Sequence, residues 1–275
     1  MTANIALILA LLIPLFGAVL IGLTGRWPNL RETVTMVTAV SLFAAVIRVL
    51  MGLYAGEDIG VEVVAVMSGV GIAFNTEPLS IIFAMVASGL WVVTSVYAFG
   101  YMRGTKEVNQ TRFYVCFAIA LFGAIGIAFS ANLLTLFIFY EVLTLSTYPL
   151  VIHKGDAKAK AGGRTYLGIL LTTSIVFLLP AVVWVYAVAG TLDFMPGGIL
   201  QGNLSAVPAT LLLLLFLFGV GKAAVMPVHK WLPAAMVAPT PVSALLHAVA
   251  VVKAGVFTLI KVMIYIFGSD FLAEV

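Results

Sequence analysis

Charge is scarce in this chain. Asp, Glu, Lys and Arg together make up 9% of its 275 residues, where a soluble globular domain carries about a quarter. Hydrophobic residues fill the space at 63%, which excludes a water-soluble fold and assigns the chain to a bilayer. Cysteine is nearly absent: the single Cys116 can close no intramolecular disulfide, says nothing of redox compartment, and is expected to pack as a small apolar residue. Also missing are a His/Cys/carboxylate spacing that would bind a metal, a glycine-rich loop joining strand to helix, and a Ser-His-Asp set. Catalytic chemistry on a substrate therefore has no support here, and no cofactor is expected.

What the chain has instead is long apolar runs. Eight of them, at about 4–24, 32–53, 79–100, 113–130, 132–152, 165–189, 208–229 and 241–266, are each long enough to cross ~30 Å of hydrocarbon as a helix. They do not alternate, which argues against a β-barrel, so the predicted fold is an all-α membrane bundle. The first run has no basic segment before it and no small-residue cleavage site, and it reads as a retained helix rather than a signal peptide. The stretch 63–74, VVAVMSGVGIAF, is too short to span; Val and Ile on either side of Ser68-Gly69 predict a β-hairpin near 60–76 on the outer surface. The organisation expected is residues 1–110 as helices one to three with that hairpin, and 111–275 as helices four to eight, with no soluble second domain.

The few charges are sorted by loop. Arg26, Arg31, Arg103, Lys106, Arg112, Lys154, Lys158, Lys160, Arg164 and Lys230 lie in or at the edges of odd-numbered loops, ten of the 14 basic side chains. The even loops and the C-terminal tail hold Glu57, Asp58, Glu62, Glu77, Asp193, Asp270 and Glu274 with no Lys or Arg. The positive-inside rule then puts the odd loops in the cytoplasm and both termini outside. The net charge of +3 is a topology signal and not a nucleic-acid footprint, since the basic residues are dispersed without aromatic interleaving.

Ionisable groups left inside the apolar runs carry the functional argument, because a charge at mid-bilayer costs several kcal/mol. Arg48 and Lys261 lie near the outer ends of spans two and eight, where long stems can reach the headgroups without a special partner. Glu141, Lys222 and Lys253 each fall near the middle of a run, in spans five, seven and eight. At ~1.5 Å rise per residue they share one depth in three helices, the arrangement a lateral charge chain needs. The bland alternative is a buried Glu–Lys pair that only fixes helix register. In the functional reading, burial disfavours the charged lysine while a nearby carboxylate favours it, so moving Glu141 would move the proton of Lys222 toward His247 or Lys253.

Histidine titrates near neutrality, which makes His247, in span eight six residues before Lys253, a relay candidate, though a lone buried His is often a hydrogen-bonded structural group. His229, beside Lys230 at the cytoplasmic end of span seven, marks a proton entrance; His153 reads as a solvated boundary residue. Pro227 lacks a backbone donor and is expected to break span seven about one turn beyond Lys222, opening it to water.

The run 219–257, GVGKAAVMPVHKWLPAAMVAPTPVSALLHAVAVVKAGVF, resembles the signature of the antiporter-like membrane subunits shared by Mrp-type multisubunit cation/proton antiporters (subunits A and D), respiratory complex I and membrane-bound hydrogenases. Residues 132–151, NLLTLFIFYEVLTLSTYPLV, are similar to that family's fifth helix, and weaker similarity runs from about residue 75 to 265. The resemblance implies that Glu141 and Lys222 form an ion pair, that protons enter from the cytoplasm toward Lys222, and that they travel along the midplane through Lys253. Ala234 departs from the pattern, standing after WLP where many members have an acidic residue. Family members usually have about 14 helices with helices four to eight repeated in inverted form, so the resemblance covers an N-terminal half only. A missing segment or a second polypeptide would supply helices 9–14 and the outward exit.

The function this implies is a proton-translocating subunit of a large complex in the cell inner (plasma) membrane, of antiporter or NADH:quinone oxidoreductase type, with other membrane subunits and lipid as partners. The alternatives are a secondary transporter for a small solute, which would expect a paired repeat within the chain, and a non-transporting assembly scaffold.

Overall fold

A computed structural model describes residues 2–67, 69–245 and 250–272. Among the described residues six helices are long and apolar enough to cross a membrane: α1 (Ala3–Leu23), α2 (Pro28–Tyr54), α3 (Pro78–Gly104), α4 (Gln110–Phe129), α5 (Leu133–Val151) and α6 (Ala157–Ala189). Shorter helices follow, the longest of them among the described residues being α7 (Ala206–Gly219) and α8 (Val251–Val262), the latter continued by a π-helical turn, Met263–Phe267. The chain is therefore a multi-pass membrane protein, and its seventh and eighth apolar runs are only partly α-helical.

Local chemistry sets these ends. Pro28 and Pro78 open α2 and α3 at the first helical position, where a missing N–H costs nothing. Asn132 caps α5 by accepting the Thr135 N–H at 2.8 Å, and Asp156 caps α6 by accepting that of Ala159 at 2.6 Å. A π-helical stretch, Ser174–Leu178, interrupts α6 just ahead of Pro180, which has no N–H to continue the ladder.

Helix α4 is the axis of the bundle and packs on α1, α3, α5 and α8. It is buried nearly all round and carries Ala118, Ala120, Ala124 and Ala128, small side chains that let neighbouring backbones come close where lipid supplies no hydrophobic drive. Exposed Phe16, Val19, Val37, Ile82 and Val93 give α1, α2 and α3 their apolar outer surfaces.

Strands β1 (Gly60–Met67) and β2 (Val70–Asn75) pair antiparallel, from Gly60 opposite Asn75 to Met67 opposite Val70. The hairpin is stitched to the α4–α5 turn: Ala131 N–H donates to the Ala73 carbonyl at 2.9 Å and Asn132 Nδ2 to the Gly71 carbonyl at 2.7 Å. Glu57, in the loop before β1, accepts from the Ala3 N–H at 3.2 Å and from Arg48 at 3.1 Å, and these two contacts hold its carboxyl below the usual carboxylate range. Arg48 thus has a carboxylate partner instead of merely reaching the headgroups. At the opposite end, Arg103 bonds Glu32 and Asn29 while Arg31 bonds Gln110 and Thr111, tying α2, α3 and α4 together.

Candidate functional site

Lys222 is fully enclosed, with 0% of its surface exposed. It does not lie in a regular helix: α7 ends at Gly219, and Lys222 belongs to a 3₁₀ turn, Gly221–Ala223, followed by Ala224 at φ +54°. The expected break one turn beyond Lys222 is therefore corrected to one before it. The broken segment is closely packed on its neighbours, which Pro227 does not reveal. A Cβ on Gly221 would sit 2.2 Å from Thr173 Oγ1 on α6, and a Cβ on Gly255 of α8 would sit 2.2 Å from the Ala223 nitrogen. Glycine at these two positions lets the unwound segment lie between α6 and α8.

Helix α5 supplies the lysine's surroundings. Tyr140 serves it three times: its hydroxyl accepts the Lys222 backbone N–H at 3.0 Å, its carbonyl accepts Nζ at 2.8 Å, and its ring lies beneath Nζ with the centroid 3.1 Å away. Thr144, one turn on, accepts a second Nζ bond. Thr147 continues the stripe and shares a 2.6 Å hydrogen bond with the hydroxyl of Tyr166, whose ring meets Trp231 edge to face at 5.5 Å. Trp231 Nε1 donates to the Gly221 carbonyl at 2.8 Å. Within the break, the Tyr140 hydroxyl and the Trp231 indole thus serve the Lys222 N–H and the Gly221 carbonyl, while a polar ladder on one face of α5, at spacings of four and three residues, lines the lysine.

Glu141 stands one position round α5 from Tyr140. Both of its carboxylate oxygens are buried without a hydrogen-bond partner among the described residues, and its charge acts on Lys222, Tyr140 and Tyr166. No ion pair within 4.0 Å joins Glu141 to Lys222 among the described residues; the ammonium rests on neutral oxygens.

The other expected residues are placed differently. Lys253 is exposed. Gly255 is the α8 residue pressed against Ala223, and two residues of helix turn about 200°, so Lys253 lies on the far side of α8 from the break. It heads a stripe with Val256, Ile260 and Ile264, all exposed. His247 lies outside the described residues. His229 is half-buried, its Nδ1 without a hydrogen-bond partner among the described residues, and Pro227 is exposed.

Two residues read as boundary groups are instead buried. His153 packs edge-on against Phe113 at 5.8 Å, and burial, reinforced by the nearby Arg112 guanidinium, keeps its imidazole below the ordinary histidine value. Lys261 is 0% exposed; it donates to the Ser130 carbonyl at 2.6 Å and faces Glu77 at 3.6 Å. Sorting charges by depth along the sequence passed over Tyr140, Thr144, Thr147, Tyr166 and Trp231, which are neutral. The only available signal was the four- and three-residue spacing of hydroxyl side chains around Glu141.

A buried lysine in a helix break, lined by hydroxyls and carbonyls and near a buried carboxylate, is a charged site built into the core of a multi-pass membrane protein. The sequence match is more specific: residues 130–274 fit the family described as NADH:quinone oxidoreductase/Mrp antiporter, TM, and the chain belongs to it. Among relatives, a Staphylococcus saprophyticus protein named as antiporter subunit mnhA2 is 32% identical over 210 residues, 74% of this chain and 25% of that protein. NAD(P)H-quinone oxidoreductase chain 5 of Picosynechococcus sp. is 28% identical over 264 residues, 89% of this chain and 40% of the relative.

The fold is similar to a chain of the membrane-bound sulfane sulfur reductase, an archaeal respiratory membrane complex, with TM-score 0.80, 22% identity, and coverage of 93% of this chain and 52% of that one. It is also similar to a chain of the Mrp complex from Dietzia sp., with TM-score 0.77, 24% identity, and coverage of 98% and 29%. The chain thus spans between a quarter and two fifths of the length of these two curated relatives, and the relatives and structural neighbours are subunits of multisubunit membrane assemblies.

Proposed function

We propose that residues 111–275 form one proton half-channel of an antiporter-like subunit within a larger membrane complex, braced by the helices and outer-face hairpin of residues 1–110. The observation that carries this reading is the state of Lys222: its ammonium is enclosed and held by the Tyr140 carbonyl and the Thr144 hydroxyl, while the neighbouring Glu141 carboxylate is buried with no hydrogen-bond partner among the described residues. An ammonium held by neutral oxygens keeps most of its desolvation cost. Approach of Glu141 stabilises the proton on Lys222; withdrawal frees it to move on. A pair that only pinned two helices would be closed, which favours a relay over a scaffold.

Protons enter from the cytoplasmic face past His229 and the irregular segment around Pro227, reach Lys222, and continue to Lys253 with His247 as an intermediate carrier. The exposed stripe headed by Lys253 is the surface on which the rest of the subunit, helices 9–14, would lie, in this polypeptide or another. The subunit sits in the plasma membrane with its basic loops in the cytoplasm and its termini outside. In the intact complex, Lys222→Ala and Glu141→Ala each abolish proton-coupled transport while subunit composition stays unchanged; normal pumping in either variant contradicts the reading.

A further inference from the structure

A second enclosed charge pair lies away from Lys222, at the end of the bundle that carries the hairpin. Lys261, on α8, has no exposed surface, while the Glu77 side chain 3.6 Å from it retains 14% exposure. The pair is therefore open on the carboxylate side only. Lys261 also donates to the Ser130 carbonyl at 2.6 Å and lies over the Phe194 ring at 4.4 Å.

Around this pair the segment Asn75 to Ser80 concentrates oxygen atoms that no described residue satisfies. Asn75 Oδ1, Thr76 Oγ1, Glu77 Oε2 and Ser80 Oγ are all buried without a hydrogen-bond partner among the described residues. Buried polar atoms are paired in the great majority of cases, with water where protein does not serve. Four such atoms within six residues, beside a buried ammonium, describe a hydrated polar site and not a dry clamp. Lys253 and Lys261 lie eight residues apart on one helix, about 12 Å along its axis.

We propose that Lys261 and Glu77 form a second proton-carrying pair, on the side of the chain opposite the basic loops. In the forward step the Lys261 N–H bond breaks and a Glu77 O–H bond forms, leaving both groups neutral; Glu77 then loses its proton to water on that side, and Lys261 is recharged from the interior relay. This rests on the proton-channel reading of Lys222, and the two can fail separately.

The test is proton-coupled transport by the intact complex in proteoliposomes, with subunit composition checked for every variant. Lys261→Arg keeps the positive charge but cannot release a proton at physiological pH, so transport falls tenfold or more; Glu77→Gln gives the same loss. The double variant with Lys261→Met and Glu77→Gln removes the pair without stranding a charge and is equally inactive. Transport at the native rate in Lys261→Arg, or in the double variant should the arginine prevent assembly, makes the pair a structural clamp and overturns the proposal. Loss of transport in Lys222→Ala from the same preparations would leave the main reading standing in that event.

Discussion

At the scale of single residues, the decisive feature is how Lys222 is held. Its ammonium bonds one carbonyl and one hydroxyl, both from α5, and a hydrogen bond to a charged group contributes about 1.5–3 kcal/mol. Thr144→Val keeps the shape of the side chain and removes the acceptor, so transport by the intact complex falls several-fold or more, whereas Thr144→Ser preserves it. Another residue-scale consequence concerns His153. Burial and Arg112 hold its imidazole below the ordinary value, so between the unfolded value near 6.5 and the lowered folded value the unfolded chain binds the extra proton. Its contribution to stability is fully present above about pH 6.5 and is lost as pH falls through the folded value. Thermal unfolding of the complex at pH 7.5 and 5.5 should show this loss, and His153→Phe should shrink it.

Elements explain why some residues were readable in the sequence and others were not. That span seven would break could be read from Pro227, but the helix ends at Gly219, and the unwound segment beyond it packs on α6 and α8, residues distant in sequence. Lys222 and Glu141 stood out because charge in an apolar run is conspicuous. Tyr140 and Thr144 did not, since a tyrosine and a threonine in a membrane helix are ordinary until a lysine is known to face them. Lys261 was read as a headgroup-seeking side chain from its position near a helix end; its partner Glu77 lies on α3, and only the tertiary fold joins them. The same contacts make a prediction about α8. Gly255→Ala would place a methyl 2.2 Å from the Ala223 nitrogen, and such overpacking costs about 1–3 kcal/mol. A lower melting temperature and slower transport are expected together, because the displaced segment carries Lys222.

For the whole molecule, composition and loop charge were enough to read an α-helical membrane bundle, and the family match agrees with it. The lateral charge chain was only partly legible. Three midplane charges were read as one row from their depth along the sequence, yet depth says nothing about the face of a helix, and Lys253 turns away from Lys222 within this chain. In the proposed mechanism that face meets the remaining helices of the subunit, whereas Lys222 is enclosed by the residues described. The most direct test is proton-coupled transport by the intact complex carrying Lys222→Arg. Arginine retains the charge and can reach the Tyr140 carbonyl but does not give up its proton, so the account predicts an assembled complex with transport abolished. Transport at the native rate in that variant would contradict it.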